Sequence, residues 1–387
     1  MFRTSPKQLL ALGVLGVCLL WGVAYLNGMF DNLDTVLETG LLLDGRVLRT
    51  VYTHNVLLDN RLKLLTAFYE ALTNGLSSGP RILFFDVNYV VACTNVWVFI
   101  ESRRRGVRNF FLRHAVIAII LWNANGAAIF QPPYFYFIAR SKAVSRDPTI
   151  PLNEAIALFI TTIPTLVAPL LLFVPAWLNY STWDHHGFIA MFHGTPILIV
   201  IIFMVGIISL RPRHGWVSKK DVKNANVDKP WIVASYVTAG TIAAIVHLYT
   251  IISSVTTTDP DATFARLFIP SPGKTNLFPA WFPNSSPTLP ALPPKYNEIM
   301  EQFHLFSQFD WIVVTLSCIV FVHYLLSRAE EDDDRKKDSR KEMSVVEMRE
   351  LAYLILGTLA VGPGAAGSFA LAVRESRIRE RTVDKAQ

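Results

Sequence analysis

The sequence predicts an all-α fold: a polytopic integral membrane bundle of about eight (seven or eight) transmembrane helices in a single membrane domain, 1–387. Three observations lead to this fold class. Hydrophobic residues make up 52% of the chain and charged residues only 17%. The mean hydropathy is +0.35, which is atypical of a soluble enzyme. Several windows also hold the roughly 20 apolar residues that cross a hydrocarbon core of about 30 Å.

Eight apolar windows predict the helices in chain order. They run over about 9–27, 82–100, 110–138, 152–177, 187–210, 231–253, 305–327 and 350–373. The third window contains polar and helix-breaking residues, namely Asn123, Asn125, Gly126, Pro132 and Pro133. A re-entrant hairpin is therefore an alternative to a full crossing over 110–138.

Three longer connections join these windows. Residues 29–80 have balanced charge and a mildly amphipathic pattern, which predicts an interfacial connection. Residues 254–304 are rich in proline and aromatic side chains and predict a loop that folds back over the bundle. Residues 328–349 have mixed charge and predict a solvated linker.

The loop charges predict the orientation of the bundle. Lys and Arg are more numerous in the connections 29–81, 139–150, 211–229 and 328–349, which places these in the cytosol. The loop 254–304 is then non-cytosolic. Two N-x-[ST] sequons, at Asn179 and Asn284, fall in the opposite set, where glycosylation occurs. Arg103, Arg104 and Arg105 also fall in that set and argue against this orientation.

Carboxyls at membrane depth are the first candidates for function, because an ionisable residue there costs about 2.5–3.5 kcal/mol on insertion scales. Asp86 and Glu101 lie at the ends of the second window, and Asp310 lies near the start of the seventh. Asp86 and Glu101 are roughly 22 Å apart on a helix, too far to act on one substrate atom. In any eight-helix arrangement, Glu101 and Asp310 open to the same side of the membrane. We therefore expect Glu101, with Trp97 on its face, to lie opposite Asp310.

Other chemistry has little support in the sequence. The chain lacks the phosphate-binding G-x-x-x-x-G-K-[ST] motif. The three cysteines lie inside apolar windows, and no C-x-x-C spacing occurs. Basic residues are grouped near helix ends, which argues against nucleic acid. The sequence thus predicts no cofactor, no metal and no nucleic-acid partner.

Four segments resemble the membrane-bound terpene cyclases of fungal meroterpenoid pathways, of the ascofuranone and macrophorin type. They are YTHNVLLDNRLKLLTAFYEALTNG (52–75), W-x-x-x-E-x-x-R-R-G from Trp97 to Gly106, NANGAAIFQPPYFYF (123–137) and SQFDWIVVT (307–315). The resemblance covers most of the chain in the number and order of its apolar windows.

The resemblance implies an isomerase without a cofactor, which protonates an epoxide or an alkene of a prenylated aromatic substrate and lets the carbocation cyclise. Asp310 is then the expected acid, and Glu101 the second catalytic carboxyl. Asp86 is a secondary candidate. The expected substrate-binding residues are Trp97, Asn123, Asn125, Tyr134 and Trp311.

Two other function classes stay open on sequence grounds. In a transporter, Asp310 and Glu101 would line a proton or substrate path. In a structural membrane protein, the intramembrane polar groups would join helices by hydrogen bonds. The cyclase hypothesis implies a hydrophobic small-molecule substrate, contact with membrane lipids and the endoplasmic reticulum as the location, with other pathway enzymes as further partners.

Overall fold

The computed structural model describes residues 4–211, 226–270, 292–331 and 345–384. Within these ranges the chain is helical and contains no β-strand, apart from one isolated bridge between Leu41 and Val47. The longer helices are α1 (Pro6–Leu26), α2 (Met29–Thr39), α3 (Val56–Thr73), α4 (Ser78–Arg103), α5 (Ala115–Asn125), α6 (Ala127–Arg140), α7 (Leu152–Trp177), α8 (Thr182–Ser209), α9 (Lys229–Thr256), α10 (Pro294–Glu331), α11 (Val345–Val361) and α12 (Pro363–Asp384). The predicted all-α bundle is confirmed.

Six of these helices are long and apolar enough to cross a membrane: α1, α4, α7, α8, α9 and α10. They correspond to six of the eight predicted windows. In α7 the helical hydrogen bonding is interrupted near Pro169, because the backbone nitrogen of proline carries no hydrogen to donate. The remaining two windows each hold a pair of shorter helices.

The window 110–138 forms a re-entrant hairpin, the alternative to a full crossing. Its helices α5 and α6 have 11 and 14 residues, too few to cross the membrane alone. Gly126 separates them with φ of +103°, a backbone conformation that favours glycine. The Tyr134 hydroxyl donates to the Leu112 carbonyl at 3.2 Å, and the rings of Phe111 and Phe137 are 6.3 Å apart. The chain therefore returns to the side from which it started.

The last window, 350–373, is also a hairpin. Gly362, with φ of +87°, precedes Pro363 and separates α11 from α12. Arg377, near the end of α12, forms an ion pair with Glu350, near the start of α11. The two helices are therefore antiparallel neighbours, and the tips of both hairpins are formed by glycines.

The first hairpin corrects the predicted placement of two carboxyls. Because α5 and α6 return to their starting side, the described helices long and apolar enough to cross between the end of α4 and the start of α10 are α7, α8 and α9. Three crossings put those ends on opposite sides, so the prediction that Glu101 and Asp310 open to the same side is wrong. Gly126 is the physical reason, because it ends α5 before that helix spans the membrane.

The described parts of the predicted connections contain helices. Residues 29–80 contain α2 and α3, and α3 packs on α10 through the rings of Phe68 and Phe303 at 4.6 Å. In the loop 254–304, the short helices Pro260–Ala262 and Phe264–Phe268 are held by Arg266, which pairs with Glu301 at 2.7 Å. The rest of that loop, 271–291 with Asn284, and residues 332–344 of the charged linker lie outside the described residues. Asn179 is exposed in the turn after α7, and its glycosylation stays a prediction.

Candidate active site

A cavity of about 390 Å³ lies where α1 to α6 meet α10. This volume falls within the range of about 300–1,000 Å³ that is usual for small-molecule sites. Seven aromatic side chains line it: Trp21, Phe30, Phe68, Tyr69, Phe84, Trp122 and Phe306. Its polar lining consists of Asp34, Arg61, Asn88, Asn123, Asn125, Ser307 and Asp310. The cavity thus combines aromatic rings with an equal number of polar side chains.

Asp310 is held at the wall of this cavity by the tip of the first hairpin. Its Oδ1 accepts a hydrogen bond from the backbone N–H of Ala128 at 2.6 Å. Ala128 lies in the first turn of α6, where backbone N–H groups have no partner within the helix. The side chain is 8% exposed. The break at Gly126 therefore fixes the orientation of the only carboxyl that α10 contributes to the cavity.

The polar atoms of two lining aromatics are bound elsewhere. The Tyr69 hydroxyl donates to the Asn123 carbonyl at 3.0 Å, and Trp122 Nε1 donates to Asn95 Oδ1 at 2.9 Å. Phe68 packs against Phe306 with ring centroids 5.2 Å apart. Because these hydrogen bonds are satisfied by the protein, the aromatic side chains offer the cavity mainly ring surface, which attracts cations through its negative face.

Arg61 supplies a cation to the same cavity from α3. Its Nη2 donates to the Ala124 carbonyl and to Asn125 Oδ1, both at 2.5 Å. These acceptors lie at the C-terminal end of α5, where carbonyl groups lack helical partners. The C-terminal end of α5 and the N-terminal end of α6 are thus bound by a cationic and an acidic side chain, Arg61 and Asp310.

Glu101 does not line the cavity and belongs to a buried ion cluster. Its Oε1 lies 2.8 Å from Arg104 and 2.9 Å from Arg374. Arg104 also pairs with Glu375 at 2.7 Å. Along α4, Glu101 is ten residues beyond the lining residue Val91, which corresponds to roughly 15 Å. The predicted pairing of Glu101 with Asp310 is therefore absent, and Glu101 joins α4 to α12.

Asp86 lies in a second polar cluster outside the cavity lining. Trp311 Nε1 donates to Asp86 Oδ2 at 2.8 Å, and His247 Nδ1 is 3.1 Å from both carboxyl oxygens. The indole of Trp311 packs against the tilted ring of Phe268, and the two ring centroids are 4.9 Å apart. Trp311 was predicted to bind substrate, but its polar atom is engaged by Asp86, and its ring packs against the loop after α9.

Two of the five predicted substrate-binding residues, Asn123 and Asn125, line the cavity. Trp97 does not, because it is buried with its Nε1 donating to Ser368 Oγ at 2.8 Å. Tyr134 is also outside the lining, since it joins α6 to Leu112. Several lining residues that were not predicted, Arg61 and Phe68 among them, lie in the connection 29–80. A signal was present, since both belong to the segment 52–75 that carries the family resemblance.

No metal site is evident in the part of the chain that the structure describes, since no three His, Cys, Asp or Glu side chains are grouped as ligands there. What the cavity offers is a buried carboxyl, a guanidinium and aromatic ring faces. Such a set of groups can donate a proton, bind an anionic or polar group and stabilise a carbocation.

The chain is similar to known proteins over nearly its whole length. The CtvD domain model matches residues 6–379. Terpene cyclase DEP1 of Fusarium langsethiae is 48% identical over 98% of this chain and 100% of the relative, and terpene cyclase DEP1 of Alternaria brassicicola is 48% identical over 97% and 100%. Terpene cyclase alnG of Emericella nidulans is 22% identical over 93% of this chain and 91% of the relative. No solved structure matches the chain. These relatives confirm the predicted resemblance and support a cyclase enzyme, and the chain belongs to the CtvD domain family.

Proposed function

We propose that the protein is a membrane-bound terpene cyclase in which Asp310 protonates an epoxide or an alkene of a prenylated aromatic substrate. The observation that carries this proposal is the position of Asp310, held by the Ala128 N–H at the wall of an aromatic cavity. The names of the relatives supply the reaction class. Meroterpenoid biosynthesis and residence in the endoplasmic reticulum are part of the same proposal.

The acid in this reaction must be neutral before it can donate a proton. Apolar surroundings disfavour the charged form of a carboxyl. Oδ1 of Asp310 can accept the Ala128 hydrogen bond as the carbonyl oxygen of a neutral acid, so Oδ2 carries the proton. On protonation of an epoxide, the Oδ2–H bond breaks, one C–O bond of the epoxide opens, and its oxygen becomes a hydroxyl. The resulting cation is attacked by the π electrons of the next alkene.

The aromatic wall suits the later steps. Each new C–C bond moves the positive charge along the chain until the last cation loses a proton. The Asp310 carboxylate takes up a proton again, so the product is an isomer of unchanged mass. A ring face contributes about 2 kcal/mol to binding a desolvated cation. Phe68, Phe84 and Phe306 carry no nucleophilic atom that could capture the cation, and their bulk excludes water.

The test is an assay of the full-length chain in microsomes. Wild-type protein is incubated with an epoxyfarnesyl aromatic compound. The products are separated by chromatography, and their masses are measured by mass spectrometry. We expect a cyclised isomer of unchanged mass from the wild type and none from Asp310→Asn at equal expression. Asp31→Asn, the same change at an exposed position of α2 outside the cavity lining, should retain full activity.

Two outcomes would contradict the proposal. One is product formation by Asp310→Asn at the wild-type rate. The other is the absence of any isomer across a panel of epoxide and alkene substrates with folded wild-type protein. Formation of the isomer by detergent-purified protein, where no membrane separates two compartments, would exclude transport as the explanation.

A further inference from the structure

Most of the hydrogen-bonding capacity of Arg61 is unused. A guanidinium has five N–H donors, and the two hydrogen bonds of Arg61 both involve Nη2. Within the described ranges, no partner is found for its Nε or Nη1, and no carboxylate forms an ion pair with it. Asp34 shares the cavity lining but is exposed and lies at no ion-pair distance from Arg61. The cavity therefore contains a guanidinium without a counter-charge.

The lack of an ion-pair partner costs free energy because Arg61 is partly removed from solvent. The side chain is half-buried against the cavity, and burial lowers the pKa of the guanidinium. A partly desolvated charge is stabilised by a partner of opposite charge. Nε–H and Nη1 lie on different edges of the planar guanidinium, so a carboxylate can accept a hydrogen bond from one of them and supply the negative charge. The free donors thus favour a ligand with a carboxylate at this end of the cavity.

The distance between Arg61 and Asp310 is limited by the hairpin tip. Arg61 is bound at Ala124 and Asp310 at Ala128. Four residues of extended chain span at most about 14 Å, so these two anchor points lie within the length of one substrate molecule. The guanidinium thus lies beside the end of α5 and the carboxyl beside the start of α6, with aromatic side chains of the cavity around them.

We propose that Arg61 binds a carboxylate on the aromatic head of the substrate and so directs the prenyl chain toward Asp310. This inference deepens the proposed function, because it assigns the substrate class, a prenylated aromatic acid, and its orientation. Arg61 then acts as a specificity-determining residue. Its two hydrogen bonds to α5 hold the guanidinium in place while a free N–H of Nε or Nη1 donates to the carboxylate of the ligand.

Binding of an unreactive ligand tests this inference without relying on turnover. The probes are an aromatic carboxylic acid with a saturated C15 chain and its methyl ester. Quenching of tryptophan fluorescence in detergent-purified full-length protein reports occupancy, since Trp21 and Trp122 line the cavity. We expect the wild type to bind the acid about tenfold to hundredfold more tightly than the ester, the usual range for a hydrogen bond to a charged group.

The variants separate ligand binding from a structural role of Arg61. Arg61→Gln should lose the preference for the acid and bind the ester with less than about twofold change, whereas Arg61→Lys should keep part of the preference because it retains the charge. Arg113→Gln, at an exposed position outside the cavity lining, is the matched control and should bind both probes like the wild type.

The inference is overturned if wild-type protein binds acid and ester equally, a comparison that holds even if Arg61→Gln does not fold. It is also overturned if Arg61→Gln weakens both probes by the same factor, since that result indicates only the loss of the α5 hydrogen bonds. Failure of the proposed function looks different: the acid preference would be present, but no isomer would form from reactive substrates.

Discussion

The Asp310 carboxyl accepts a 2.6 Å hydrogen bond from the backbone of Ala128, the second residue after Gly126. The acid is therefore oriented by the end of a short helix and not by a second carboxyl. A helix N-terminus supplies an N–H donor without adding a titratable group to the cavity. The position of Asp310 depends on the geometry of the hairpin tip, and this dependence can be tested away from the acid itself.

Gly126→Ala is expected to lower both thermal stability and cyclase activity. A side chain at φ of +103° is strained by about 1–3 kcal/mol, and its Cβ would lie 2.8 Å from the Leu20 side chain. The matched control is Gly194→Ala in α8, where a Cβ meets nothing within 4 Å. Melting curves and isomer formation check both variants. Wild-type behaviour of Gly126→Ala would show that the tip does not position the acid.

Glu101→Gln is expected to impair folding while leaving the chemistry of the folded protein intact. The change removes the negative charge between Arg104 and Arg374, and breaking a buried ion pair costs about 3–5 kcal/mol. Detergent-purified protein should melt at a lower temperature, with an unchanged kcat per folded molecule. A large loss of kcat at wild-type stability would return Glu101 to a catalytic role.

Phe68→Leu is expected to reduce kcat by up to about 30-fold, the equivalent of one cation–ring contact of about 2 kcal/mol. Some product should also carry added water, because the smaller side chain admits it to the cavity. Phe110→Leu, at a position that is 70% exposed, serves as the control. Mass spectrometry distinguishes the hydrated product from the isomer. Equal kcat for both variants would argue against stabilisation of the cation by this ring.

Acid is expected to destabilise the bundle through Glu375. Burial opposes ionisation of this carboxyl, but the charges of Arg104 and Arg379 outweigh it and lower the pKa from its ordinary value of 4.5. A lowered folded-state pKa contributes stability that is present above the unfolded-state value and is lost as the pH falls through the folded-state value. The melting temperature should therefore decline below about pH 4.5.

Glu375→Gln should melt at a lower temperature near neutrality and show a smaller decline in acid. Differential scanning fluorimetry between pH 7 and pH 3.5 would measure both effects. An identical pH profile in the variant and the wild type would show that the ion cluster contributes nothing to the acid sensitivity.

The sequence predicted the helical class and six of the windows because a long apolar run permits few other structures in a membrane. It could not choose between a span and a hairpin over 110–138, since asparagine, glycine and proline are compatible with both. That choice determines on which side each later helix begins. One glycine therefore accounts for the wrong pairing of Glu101 with Asp310.

The candidate site was predictable only in part. Asp310 stood out because an isolated carboxyl within an apolar window is rare. Arg61 and Phe68 did not, because a charged and an aromatic residue on an amphipathic helix are typical of a membrane surface. Their contacts with Asn125 and Phe306 join segments far apart in the chain. Contacts of this kind follow from tertiary packing, which periodicity does not encode.

The break between α5 and α6 also keeps the acid and the guanidinium apart. In direct contact, the guanidinium would favour the ionised carboxylate, and the acid would then have no proton to donate. Here each is tethered to a different peptide group, Asp310 to the N–H of Ala128 and Arg61 to the carbonyl of Ala124. Backbone dipoles therefore hold both groups, and the three residues between the two anchor points keep them separate.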